Sequence, residues 1–164
     1  MKIEKNYNRI IELLDQNQVE YKLFSHREAL TWDDLEKVQK ETGFSGTELK
    51  CMAIKGGKDI IVIVSLTSKK LNFQAIKESL GVDRVRLCTR DELFKHFGAE
   101  PGCMYPFGFE CGYNIYVDPD IFEQNWVLFS PVYPTKTIQA SGPDLKKLFR
   151  SLENQSKETA SFNQ

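Results

Sequence analysis

The chain has 164 residues, 41% hydrophobic and 27% charged, with 23 acidic against 22 basic side chains. That length and balance describe one globular domain with a sizeable core and exclude a disordered chain. The longest apolar run, Ile60 to Leu66, is too short to span a bilayer, and near-neutral charge excludes a field that could hold long DNA, so any nucleic-acid contact must be local.

The opening MKIEKNYNRIIELL is apolar at Ile3, Tyr7, Ile10, Ile11 and Leu14. Helical spacing predicts an amphipathic helix to about Gln16 and no secretory leader. Val19 to Ser25 reads as a strand with Val19, Tyr21 and Leu23 on one side. Thr31-Trp32-Asp33-Asp34 has the form of a capping box, and Gly43 closes the helix it opens. Leu49 to Lys55 and Asp59 to Thr67 predict a hairpin over Gly56-Gly57, its second strand central because both faces are apolar. Asn72 caps a helix to Leu80, with Leu71 and Ile76 as a hydrophobic staple and Gly81 beyond. Val82 to Leu87 is a short strand, and Thr89 to Glu92 is a second capping box for a helix through Phe97. A Gly-, Pro- and aromatic-rich loop runs from Glu100 to Gly112. Tyr113–Val117, Trp126–Phe129 and Thr137–Ala140 predict strands, and a last helix starts near Pro143, burying Leu145, Leu148 and Phe149. The mixture predicts an α+β fold: a mixed, partly barrel-like sheet flanked by helices. Residues 1–153 form the domain and 154–164 a polar, frayed tail.

Four cysteines, Cys51, Cys88, Cys103 and Cys111, form no C-x-x-C pair. They predict reduced thiols in a cytoplasmic protein and no metal site. No G-x-S-x-G elbow, Walker A loop or G-x-G-x-x-G is present. Lys50 lies in ELKCMAIK, a strand with no clear solvent side. A buried ammonium costs several kcal/mol unless it meets an anion or polar substrate. Two readings stand: an edge lysine that snorkels to water, or a site residue. The loop Pro101-Gly102-Cys103-Met104-Tyr105-Pro106-Phe107-Gly108 has almost no polar side chains. It reads either as a plain connector or as a shaped backbone presenting N–H groups to an oxyanion. His26 and His96 are isolated histidines. A thiol route through Cys51 or Cys103 requires one of them within hydrogen-bond reach.

Three features in order are E-L-K-x-x-x-I-K before an apolar strand, the loop G-x-x-x-P-F-G, and a closing G-P-D-L-K-K-L helix. Over about residues 20–150 the chain resembles the YbaK/prolyl-tRNA-synthetase-associated family of aminoacyl-tRNA deacylases. The resemblance implies a trans-editing hydrolase that cuts the ester of mischarged tRNA. Its partners are the tRNA acceptor end and a synthetase, with no cofactor. Lys50 matches the family's active-site lysine. Gly102, Cys103, Met104, Tyr105, Pro106, Phe107 and Gly108 match its pocket loop, and His26 a less uniform binding position. Cys51 and Ser130-Pro131 depart from the family pattern at positions that shape the pocket. A tRNA- or synthetase-binding module of the same fold, without hydrolysis, is the alternative.

Overall fold

In the computed structural model, which describes residues 2–152 and 155–163, helices and strands alternate around one mixed sheet. The elements are α1 (Lys2–Gln16), β1 (Tyr21–Ser25), α2 (Trp32–Thr42), β2 (Thr47–Gly56), β3 (Asp59–Leu66), α3 (Phe73–Leu80) and β4 (Val85–Leu87). There follow α4 (Arg90–Phe97), β5 (Asn114–Val117), a 3-10 turn (Pro119–Glu123), β6 (Val127–Phe129), β7 (Lys136–Ala140), α5 (Gly142–Ser151) and β8 (Ser156–Glu158). The sheet runs β1-β7-β6-β2-β3-β5-β8, with β4 on β2, and it is open, β1 and β8 being its ends.

Local chemistry sets the helix ends. Thr31 and Thr89 both form complete capping boxes, with Asp34 and Glu92 reaching back, and Asn72 accepts from Ala75 N–H. Gly43, Gly81 and Gly98 close α2, α3 and α4 in the left-handed conformation. The hairpin turn falls one residue later than the sequence suggests, on Gly57-Lys58, because Gly56 still pairs with Asp59.

One face of the central strands packs a large aromatic core. Leu49, Ala53, Val62 and Val64 meet Phe107, Phe129 and Phe149 there. The opposite face carries two smaller clusters. Val38, Phe44 and Leu128 pack beneath α2, and Ile54, Ile61, Ile63 and Ile76 pack beneath α3. On β1, Leu23 is largely exposed while Phe24 stacks on Phe44, so the apolar contact of that strand's end is on the side not expected.

The described part of the C-terminal segment, residues 155–163, does not fray. Residue 154 lies outside the described residues, but Ser156–Glu158 pairs in parallel with β5. Phe162 is buried against Tyr116, ring centroids 4.8 Å apart, and its C=O accepts from Asn72 N–H at 2.8 Å. Polar composition hid one aromatic anchor that covers the α3 cluster. Phe162→Ala should lower unfolding free energy by about 3–5 kcal/mol, read by urea denaturation, and an unchanged midpoint would contradict this docking.

Gly102 fixes the long loop against the start of α2. Its φ is +90°, and a Cβ there would stand 2.0 Å from the Leu30 carbonyl oxygen. No L side chain fits without moving that backbone. Gly102→Ala should therefore cost more than about 1 kcal/mol in the same denaturation experiment. A cost near zero would mean that the loop and Leu30 are not held together.

Candidate functional site

The site is built on β2. One edge of this strand is covered at its start by β6, through Thr47 and Glu48, and at its end by β4, through Ile54 to Gly56. Among the described residues no strand covers that edge from Leu49 to Met52. Thr47 N–H donates to Trp126 C=O on this edge, and Ala53 C=O accepts from Cys88 N–H, each at 2.9 Å. The two-residue period of a strand then turns the backbone N–H and C=O of Cys51 toward the uncovered stretch.

A cavity of about 400 Å³ opens at this gap. β2 supplies Glu48 to Met52, the β1–α2 connection supplies His26 and Thr31, and α2 supplies Trp32. Gly102 and Met104 come from the long loop, and Ser130, Tyr133 and Thr137 from the β6–β7 region. Trp32 is 53% exposed at the rim. Val132, beside this wall, holds φ at +77°, a strained conformation for a β-branched residue.

Strand alternation puts Glu48, Lys50 and Met52 on one face. Glu48 is opposite Leu128 of the α2 cluster, and Met52 joins the α3 cluster. The two charged side chains fall in the break between these apolar patches. Lys50 is half-buried, and its Nζ donates to the C=O of Lys69 in the β3–α3 connection. Burial pushes its pKa down. That carbonyl is itself anchored, because Lys69 Nζ pairs with buried Asp118 at 2.6 Å and with Asp120. Ser65, opposite Lys50 on β3, is fully buried with its hydroxyl unpartnered. Lys50 is thus not an edge lysine reaching for water.

His26 lines the cavity with both ring nitrogens engaged. Nδ1 lies 2.7 Å from Arg27 C=O and Nε2 lies 2.8 Å from Thr137 Oγ1. A carbonyl only accepts, so Nδ1 carries the proton of the neutral ring and Nε2 accepts from the Thr137 hydroxyl. His96 bonds Tyr113 OH through Nδ1 at 3.0 Å and does not line the cavity.

Of the loop Gly102–Gly108, Gly102 and Met104 reach the cavity. Cys103 is buried and its N–H donates to Glu100 C=O at 2.9 Å. Tyr105 and Phe107 point into the core instead. Tyr105 OH donates to Phe97 C=O at 2.9 Å, and Phe107 meets Phe129 and Phe149 edge-on, with centroids 5.5 and 5.6 Å apart. Pro106 is buried between them, and Gly108 packs on Ile10 of α1. The reason is bulk: aromatic rings gain more from burial than from lining a polar cleft. The loop therefore serves as core packing over most of its length and as cavity wall at its start.

The surroundings of Cys51 and Cys103 disfavour the thiolate. Burial, reinforced by the charge of Glu48, pushes the Cys51 thiol above its ordinary range, and burial pushes Cys103 up to about 11. Among the described residues neither histidine bonds a thiol.

One site residue escapes a reading of the sequence. Glu48 lines the cavity, and Gln39 Nε2 of α2 donates to its Oε1 at 3.0 Å. Burial pushes its carboxyl up to about 7, against the downward pull of that hydrogen bond. The strand begins at Thr47, not at Leu49, and the alternation that singles out Lys50 extends back to Glu48.

Comparison with known proteins gives this arrangement a family. A model of the aminoacyl-tRNA editing domain matches residues 26–148. The prolyl-tRNA editing protein ProX of Acetoanaerobium sticklandii is 20% identical over 149 residues, which cover 88% of this chain and 91% of that protein. The solved structure of a proposed trans-editing enzyme for prolyl tRNA synthetase superposes with a TM-score of 0.71 at 17% identity, covering 93% of this chain and 95% of that one. The structure of a hypothetical protein gives the same TM-score and identity, covering 85% and 93%. At these identities the structural matches establish the fold, and the matched model spans most of the chain, from His26 at the cavity to Leu148 in α5. The chain belongs to the aminoacyl-tRNA editing domain family.

Proposed function

We propose that the protein is an aminoacyl-tRNA deacylase that acts in trans on mischarged tRNA, within the YbaK/prolyl-tRNA-synthetase-associated branch. The observation that carries this reading is the cavity at the uncovered edge of β2, where Lys50, Gly102 and Met104 line one space. The reaction adds water to the ester carbonyl, passes through an oxyanion, and breaks the carbonyl–oxygen bond to the terminal ribose, whose oxygen takes the proton. An aminoacyl ester is already activated, so positioning and oxyanion stabilisation supply most of what is needed.

The candidate oxyanion donors are main-chain groups. Cys103 N–H is spent on Glu100, whereas the N–H groups of Gly102 and Met104 have no protein acceptor among the described residues. Lys50 supplies a fixed positive charge for the substrate's polar end. His26 is held in one orientation by Thr137 and the Arg27 carbonyl, which suits a wall better than a base. Selectivity among amino acids rests on the shape of the cavity, including Cys51 and Ser130, and such discrimination is worth about 1–3 kcal/mol per methylene.

A net charge of −1 fits a protein that grips only the acceptor end, with a synthetase as a second partner and the cytoplasm as its place of work. No helix among the described residues is long and apolar enough to cross a membrane. The non-catalytic alternative draws on one observation: Lys50 Nζ is already committed to the Lys69 carbonyl.

The two readings separate in a deacylation assay on tRNAs charged with each amino acid. The wild type should hydrolyse at least one mischarged tRNA, and Lys50→Ala should lose roughly 10²–10³-fold in kcat/KM. No turnover on any substrate favours the binding module, and full activity in the variant removes Lys50 from the mechanism.

A further inference from the structure

Glu48 is a carboxylate in the cavity wall that the reaction scheme above leaves unused. Gln39 occupies Oε1, and no ion pair of the described residues includes Glu48. The two lysines that line the same cavity are turned elsewhere. Lys50 is bound to the Lys69 carbonyl, and Lys136 Nζ lies 3.5 Å from Ser25 Oγ. Glu48 is half-buried, and a partly desolvated carboxylate with an open oxygen and no positive partner gains from a cation that arrives with the ligand. An aminoacyl ester carries one such group whatever its side chain, the α-ammonium.

We infer that Glu48 binds the α-ammonium of the aminoacyl group, and so restricts the cavity to esters with a free amino terminus. The inference rests on the deacylase reading and deepens it. Glu48 and Lys50 are two residues apart on the same face of β2, so the carboxylate meets the ammonium end of the ligand while Lys50 stays with its other polar groups. Lys50 does not pair with Glu48, although both share this face, because its Nζ is committed to the Lys69 carbonyl. The anchor is blind to the side chain, because every aminoacyl-tRNA shares the group it reads. It rejects peptidyl-tRNA and N-acylated aminoacyl-tRNA, whose amide nitrogen carries no charge and would leave the carboxylate unpaired.

The test compares wild type and Glu48→Gln on one mischarged tRNA, with its amino group free or N-acetylated. Gln keeps the size of the side chain and a carbonyl oxygen for Gln39. Wild type should lose about 30-fold or more in kcat/KM on N-acetylation. Glu48→Gln should show a similar loss on the free substrate and little further change on acetylation. Equal activity of wild type and variant on the free substrate overturns the inference, as does an equal acetylation loss in both. Binding of 3′-alanylamido-3′-deoxyadenosine, which cannot be hydrolysed at the ester position, separates this result from the fate of the deacylase reading. If wild type turns over no tRNA yet binds this probe in a Glu48-dependent and acetylation-sensitive way, the anchor stands and the deacylase reading falls. If it binds neither form, both fall.

Discussion

The uncovered stretch of β2 is the constraint on which the rest of the site depends. A strand edge normally must be paired, and this one is paired by two different strands that do not meet. β6 arrives in parallel at one end and β4 antiparallel at the other. Had either continued for three more residues, the cavity would be filled by sheet. The interruption leaves backbone groups at Cys51 facing a space that a small polar ligand can enter, flanked by the β1–α2 connection and the start of the long loop.

The charged residues follow from the same break. On the α2 and α3 side of the sheet, two apolar clusters are separated at Glu48 and Lys50. Burial acts on both residues, raising the carboxyl and lowering the ammonium pKa, so each charge depends on a partner. The fold pays for this with local supports: Gln39 on Glu48, and the Lys69 carbonyl on Lys50, itself tied through Lys69 to Asp118. Close backbone contact at Gly102 and the left-handed Val132 hold the opposite walls. Cys51 and Cys103 compete poorly for the chemistry, since both thiols are pushed up and, among the described residues, neither bonds a histidine.

Much of the scaffold was legible in the residues because it rests on local chemistry. Capping pairs such as Thr31 with Asp34 and Thr89 with Glu92 need only four residues to be recognised. The central strand IIVIVSL announces burial on both faces. Lys50 stood out for the complementary reason, as a charge without a solvent side. What was not legible depends on contacts across the fold. Phe162 is one aromatic in a polar tail, and only its packing on Tyr116 explains it. Tyr105 and Phe107 were read as pocket residues from the loop pattern, yet core burial claims them. Glu48 stands in the ELKCMAIK strand without drawing notice, because its setting depends on the cavity and on Gln39 of α2, neither of which that stretch shows.

The central claim is that a ligand's aminoacyl group sits in the gap of β2 between Glu48 and the Gly102–Met104 backbone. A crystal structure of the protein with 3′-alanylamido-3′-deoxyadenosine tests it most directly. The account predicts the amino group within hydrogen-bond distance of the Glu48 carboxylate and the carbonyl oxygen toward the N–H groups of Gly102 and Met104. A ligand seated elsewhere, or one in this cavity with its amino group turned away from Glu48, would contradict it.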